Sequence, residues 1–165
     1  MAERILGIDP GLNITGYGVV ERIGTRVVLV EAGVIRGRPR DSLDLKVLEI
    51  YEGIQEIVAS LSPAIVAIEE LYSHYERPRT AILMGHARGA IMLAAAQAGV
   101  PVRSYAATKV KKLLTGSGRA PKSQVQMAIY RELRLDAQPD PPDVADALAI
   151  ALCHYYSARA VSATN

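Results

Sequence analysis

Three short apolar runs open the chain, separated by links too short to hold a helix. Residues 4–9 (R-I-L-G-I-D), 16–21 (G-Y-G-V-V-E) and 26–35 (R-V-V-L-V-E-A-G-V-I) have the length of strands. Pro10-Gly11 and Gly24-Thr25 supply turns between them. Links of that length join antiparallel neighbours, because a parallel return needs a dozen or more residues. The chain is therefore expected to begin as an antiparallel meander. The period then changes. Val47, Ile50, Tyr51, Ile54, Ile57, Val58 and Leu61 fall on one face of a helix, and Pro63 follows its end. A buried strand is predicted over 64–68 (A-I-V-A-I), ending in Glu69-Glu70, with an exposed loop over 71–79. Residues 80–98 are apolar nearly all round, which predicts a helix buried on several sides, with Gly85 and Gly89 allowing close backbone approach. Gly99 ends it, and a fifth strand is predicted over 100–105. Shorter helices follow near 108–115 and 121–133. Pro139-Asp140-Pro141-Pro142 introduces a last helix over 143–158, since a first helical turn has no use for the missing N–H.

Three strands, then helix, strand, helix and strand, then helices, predict an α/β fold. Its sheet is mixed and five-stranded, antiparallel over its first three strands and flanked by helices. This order resembles the ribonuclease-H-like topology. The 165 residues suit one domain, expected over 1–158, with a short tail at 159–165. Half the residues are apolar and 22% are charged, a globular composition. One cysteine excludes a disulfide framework and a cysteine-rich zinc site. No apolar run approaches the ~20 residues of a membrane span, and Met1-Ala2-Glu3-Arg4 is not the start of a secretory signal. A cytoplasmic protein is expected.

Four acids stand where such a fold would gather them. Asp9 ends the first strand, Glu69 ends the fourth, and Asp143 and Asp146 share a face at the start of the last helix. Each also has a plain structural reading. Asp9-Pro10-Gly11 makes a turn, Glu69 is a solvated strand end, and the helical pair suits the positive end of a helix dipole. Together they raise a different problem. Two unit charges ~4 Å apart repel by roughly 4 kcal/mol at an effective dielectric of 20. Several at one point require a compensating cation or raised pKa values. Oxygen-only ligands select hard cations such as Mg²⁺ or Mn²⁺. One or two such ions activate water and stabilise a leaving oxygen in phosphodiester hydrolysis.

Charge along the chain is uneven. Residues 103–134 hold Arg103, Lys109, Lys111, Lys112, Arg119, Lys122, Arg131 and Arg134 against Glu132 alone; this segment of +7 in a chain of +2 leaves −5 for the rest. Such a block reads either as a solvated helical face or as a polyanion site. Tyr72 and Tyr75 share the loop with Arg77 and Arg79, a combination that stacks on bases or merely anchors a loop. Gly116–Ser123 nearly matches a triphosphate-binding loop, but Pro121 replaces its second glycine and no strand precedes it. His74, His86 and His154 lack the spacing of zinc ligands, and Cys153 reads as a small core residue.

With these residues placed, the chain resembles the RuvC-type Holliday-junction resolvases over nearly its whole length. The landmarks are G-I-D-P-G and T-G-Y-G within 7–18, A-I-E-E at 67–70, G-H-A-R-G at 85–89, Y-A-A-T-K-V-K at 105–111, P-K-S-Q-V-Q at 121–126 and D-V-A-D-A-L-A-I-A at 143–151. The resemblance implies a homodimer that nicks opposing strands of four-way junction DNA symmetrically. It implies one centre per subunit, with Asp9, Glu69, Asp143 and Asp146 holding one or two Mg²⁺ or Mn²⁺ ions. Lys111 and Lys122 match family residues that contact the DNA backbone, and Lys112 and Arg119 beside them are further candidates. An aromatic matching Tyr72 acts at the junction centre, where Phe is common. The loop is a residue longer here, which leaves Tyr75 as the alternative. The family also works with a branch-migration motor. Rival readings are a junction-binding module without catalysis and a ribonuclease-H-like nuclease acting on RNA.

Overall fold

The computed structural model describes residues 2–71 and 77–164. The strands are β1 (Glu3–Asp9), β2 (Ile14–Ile23), β3 (Arg26–Arg36), β4 (Ile65–Glu69) and β5 (Val102–Tyr105). The helices are α1 (Leu43–Leu61), α2 (Pro78–Gln97), α3 (Ala107–Thr115), α4 (Lys122–Glu132) and α5 (Pro142–Ser162). The five strands form one sheet in the order β3-β2-β1-β4-β5. β1, β2 and β3 pair antiparallel, whereas β4 runs parallel to β1 and to β5. This is the mixed, ribonuclease-H-like sheet expected from the order of elements.

Alternation along the strands divides the core in two. Ile5, Val20, Ile65 and Ala67 face α3, α4 and α5, and pack with Val110, Ile129, Leu148 and Leu152. Leu6, Ile8, Val19, Val66 and Ile68 face α1 and α2, and pack with Ile50, Ile54, Ala87, Ile91 and Ala94. Each fully buried aliphatic side chain of this kind contributes about 1.5–3 kcal/mol.

Several boundaries differ from expectation. α1 begins at Leu43, four residues before its apolar stripe, because the first-turn Leu43 and Leu45 are exposed and lie off the buried face. α5 runs to Ser162. α2 starts at Pro78, so Arg79 lies in its first turn and not in a loop. The larger correction concerns burial of α2. Only one side of it packs on the sheet, through Ala87, Ala90, Ile91, Ala94 and Ala95. Ile82 is 62% exposed, Leu93 53% and Met92 38%. Among the described residues, none outside α2 itself comes within 4 Å of a Cβ placed at Gly85 or Gly89. Among the described residues, no helix is long and apolar enough to cross a membrane.

Candidate active site

Strand alternation decides where two of the acids point. Residues 5, 7 and 9 of β1 share the face covered by α5, as do 65, 67 and 69 of β4. Ile8 of β1 is in register with Ile68 of β4, so Asp9 and Glu69 end adjacent parallel strands side by side. Asp9 also pairs with Gly16 across the antiparallel ladder. Gly16 lies directly beneath the start of α5, where a Cβ would collide with the backbone carbonyl of Asp143. At Gly7 a Cβ would strike Ala147 and Ala151 in the same way. The missing side chains let α5 press onto the sheet with its N-terminus over the ends of β1 and β4, which carries Asp143 and Asp146 towards Asp9. Thr15, fully buried, closes the intervening loop: its hydroxyl donates to the Gly11 carbonyl at 2.7 Å.

The electrostatics show how close the acids are. Burial first, then the charges of Asp146, Asp143 and Glu69, push the Asp9 carboxyl up to about 7, and Lys122 opposes the shift. Glu69 is raised as well, by burial and by Asp146, against the pull of Lys111 and Arg88. The Lys122 ammonium donates to Asp146 Oδ2 at 3.2 Å. Glu69, Asp146, Lys111 and Lys122 line one open cleft of ≈270 Å³ at the meeting of α3, α4 and α5. On its other side Glu69 joins Asp9, Met84 and Arg88 around a smaller hollow of ≈110 Å³.

The four acids are thus brought together, with two of the expected lysines. The other expected contacts lie apart. Lys112 is exposed on α3 and Arg119 is exposed in the α3–α4 loop, neither of them lining the cleft. Arg77 is exposed before α2, and Arg79 borders a separate groove with Asn13, Asp41 and Lys46. Tyr72 and Tyr75 lie outside the described residues. Sequence reasoning missed Arg88. Its guanidinium is buried, donates to the backbone carbonyl of Glu69 and reaches Ser104 Oγ at 3.5 Å. It thereby ties the ends of β4 and β5 beneath the acid. An arginine inside an otherwise apolar helix was the available signal.

The donor set fits a hard divalent cation. It offers carboxylate oxygens without thiol or imidazole, and the raised Asp9 pKa marks negative charge that its neighbours leave uncompensated. The fit is electrostatic more than geometric. Among the described residues, no three His, Cys, Asp or Glu side chains close on a single point as metal ligands do. Mutual repulsion and the Lys122–Asp146 ion pair both oppose such closure.

Comparison with known proteins agrees with this geometry. The sequence profile described as crossover junction endodeoxyribonuclease RuvC matches residues 5–154. A protein of that name from Rhodopirellula baltica is 58% identical over 158 residues, 96% of this chain and 89% of the relative. One from Desulforamulus reducens is 45% identical over 150 residues, 91% of each chain. Among solved structures, Thermus thermophilus RuvC in complex with a Holliday junction substrate superposes with a TM-score of 0.90 at 37% identity, covering 95% of each chain. A match along nearly the full length places this chain in the RuvC family of crossover junction endodeoxyribonucleases.

Proposed function

We propose that this protein resolves four-way DNA junctions in recombination and repair, cutting two opposed strands by symmetric hydrolytic nicks. The observation that carries this reading is the gathering of four carboxylates from three elements around Asp9, two of which, Glu69 and Asp146, line a cleft that also holds Lys111 and Lys122. Acids alone would repel a DNA backbone, whereas acids neutralised by a cation, with lysines at their rim, attract one.

Nucleases of this family generally need a divalent metal. Here Asp9, Glu69, Asp143 and Asp146 would hold one or two Mg²⁺ or Mn²⁺ ions. When bound, such a cation polarises the scissile phosphate and lowers the pKa of an attacking water, so that no side-chain nucleophile is needed. The protein's own part is positional. Asp9 and Glu69 sit on adjacent strand ends, and α5 holds the other two acids against them. Lys111 and Lys122 draw the phosphate backbone into the cleft. Lys122 exchanges its ion pair with Asp146 for a phosphate as DNA enters. Cys153 takes no part, since it is buried and burial pushes its thiol up to about 11. Tyr72 or Tyr75 works at the junction centre, with Lys112, Arg119, Arg77 and Arg79 as outlying backbone contacts.

Paired cuts require two centres, hence a homodimer. The exposed stripe of Ile82, Gly85, Gly89, Met92 and Leu93 on α2 supplies its interface, because small residues at helical spacing let a second copy approach closely. We place the protein in the cytoplasm, alongside a branch-migration motor. A denaturing gel tests the substrate assignment. Labelled four-way junction and matched linear duplex are incubated with Mg²⁺, with Mn²⁺ and with chelator. Paired symmetric nicks, in the junction alone and with metal alone, are expected. Equal cutting of the linear duplex, or junction binding without cutting under any metal, contradicts it.

A further inference from the structure

The basic block of residues 103–134 is not one patch. Lys111 and Lys122 line the acid cleft, but Arg131 and Arg134 lie at and just past the far end of α4, nine and twelve residues beyond Lys122 and its ion pair. There they meet Arg26, which opens β3 beside the β2–β3 turn. The three arginines line a pocket of ≈260 Å³ with Thr25, Val27, Val28, Glu132 and Leu133. All three are exposed. Among the described residues, none of their guanidinium groups has a hydrogen-bond or ion-pair partner. Glu132, the acid within the pocket wall, accepts the hydroxyl of Tyr156. The pocket therefore gathers three guanidinium groups against one carboxylate and is net positive.

The backbone gives a second, independent sign. α4 ends in a Schellman turn, in which Leu135 N–H donates to the Tyr130 carbonyl at 3.0 Å and Arg134 N–H to the Arg131 carbonyl at 3.3 Å. The residue at the turn adopts a left-handed φ of 52°, a position that glycine fills at least cost. Arginine stands there instead. Strain of this kind persists where a side chain is needed for something other than the fold.

We propose that Arg26, Arg131 and Arg134 form a second phosphate-binding site, which holds the backbone of a junction arm away from the cut. This rests on the reading of the protein as a junction-binding nuclease. Planar guanidinium forks suit phosphate oxygens. α4 sets the spacing. From Lys122 to its last residue, Glu132, α4 rises about 15 Å, and Arg134 stands just past that end, a span of about five base pairs of duplex at ~3.4 Å per step along one strand. An arm lying along α4 thus meets lysine near the scissile phosphate and arginine about five base pairs further out.

The test measures junction affinity against salt, in chelator, for the wild type, Arg134→Gly and Arg131→Ala. Arg134→Gly relieves the left-handed strain, so its melting temperature is expected to equal or exceed that of the wild type. Its slope of log affinity against log salt is expected to fall by about one, and that of Arg131→Ala likewise. Neutralising the phosphates about five base pairs from the cut, as methylphosphonates, is expected to weaken the wild type several-fold more than Arg134→Gly. Wild-type slopes in both variants, or equal losses on methylphosphonate junctions, overturn the proposal and leave the arginines to an acidic protein surface. A wild type that does not bind the junction at all contradicts the functional reading instead.

Discussion

Asp9 shows at the scale of one residue how burial and neighbouring charge combine. Its carboxyl is held at about 7 by burial and by three other acids. A carboxyl raised in the folded state binds a proton that the unfolded chain has released. Folding is then favoured at low pH, and that contribution is lost as pH rises from about 4 through 7. The metal-free protein is expected to lose melting temperature over this interval, and Asp9→Asn is expected to flatten the profile. Millimolar Mg²⁺ or Mn²⁺ is expected to restore the wild type near pH 7, by binding the folded acid cluster. Thermal melts across pH, with and without metal, check both. The acids themselves were legible as residues, because each stood at a strand end or helix start. Arg88 was not. Its place in a largely apolar helix marked it as unusual, but a bond to the Glu69 main chain leaves no side-chain pattern that names the partner.

At the scale of elements, the centre depends on how closely α5 approaches the sheet. The Pro-rich lead-in predicted α5 and short apolar runs predicted both strands, with the acids at their ends, whereas the face to which Asp9 and Glu69 belong follows from the strand register. The depth of contact is set by Gly7 and Gly16, whose importance shows only once α5 is seen to lie on them. Gly16→Ala is expected to push the N-terminus of α5 outward, at a cost of about 1–3 kcal/mol for an overpacked contact. It is expected to abolish the metal-induced rise in melting temperature while the protein remains folded. Circular dichroism melts with and without Mn²⁺ measure both effects. Two expected contacts lie apart from the acids for a related reason. Lys112 and Arg119 are close in sequence to Lys111 and Lys122, but helical rotation and the α3–α4 loop turn them away from the cleft. Charge counted along a chain carries no face.

At the scale of the whole molecule, α2 separates what is apolar from what is buried. Its composition predicted burial on several sides, and the single chain buries one. Alanine, glycine and scattered aliphatic residues read alike whether they face a core or another subunit, so the sequence could not distinguish the two. Ile82→Asp combined with Leu93→Asp is expected to leave a folded monomer by light scattering. On a junction that monomer is expected to give unpaired single nicks in place of paired ones. A dimer of unchanged mass would move the interface elsewhere.

The central claim is that Asp9, Glu69, Asp143 and Asp146 act as one cation-dependent cutting centre on junction DNA. It is tested most directly by comparing the wild type with Asp9→Asn on a single labelled junction, reading binding in chelator and cutting in Mg²⁺. The Asn variant is expected to bind at least as tightly as the wild type, since it removes a negative charge facing the phosphate, and to leave the junction intact. Cutting at the wild-type rate by Asp9→Asn would contradict the account.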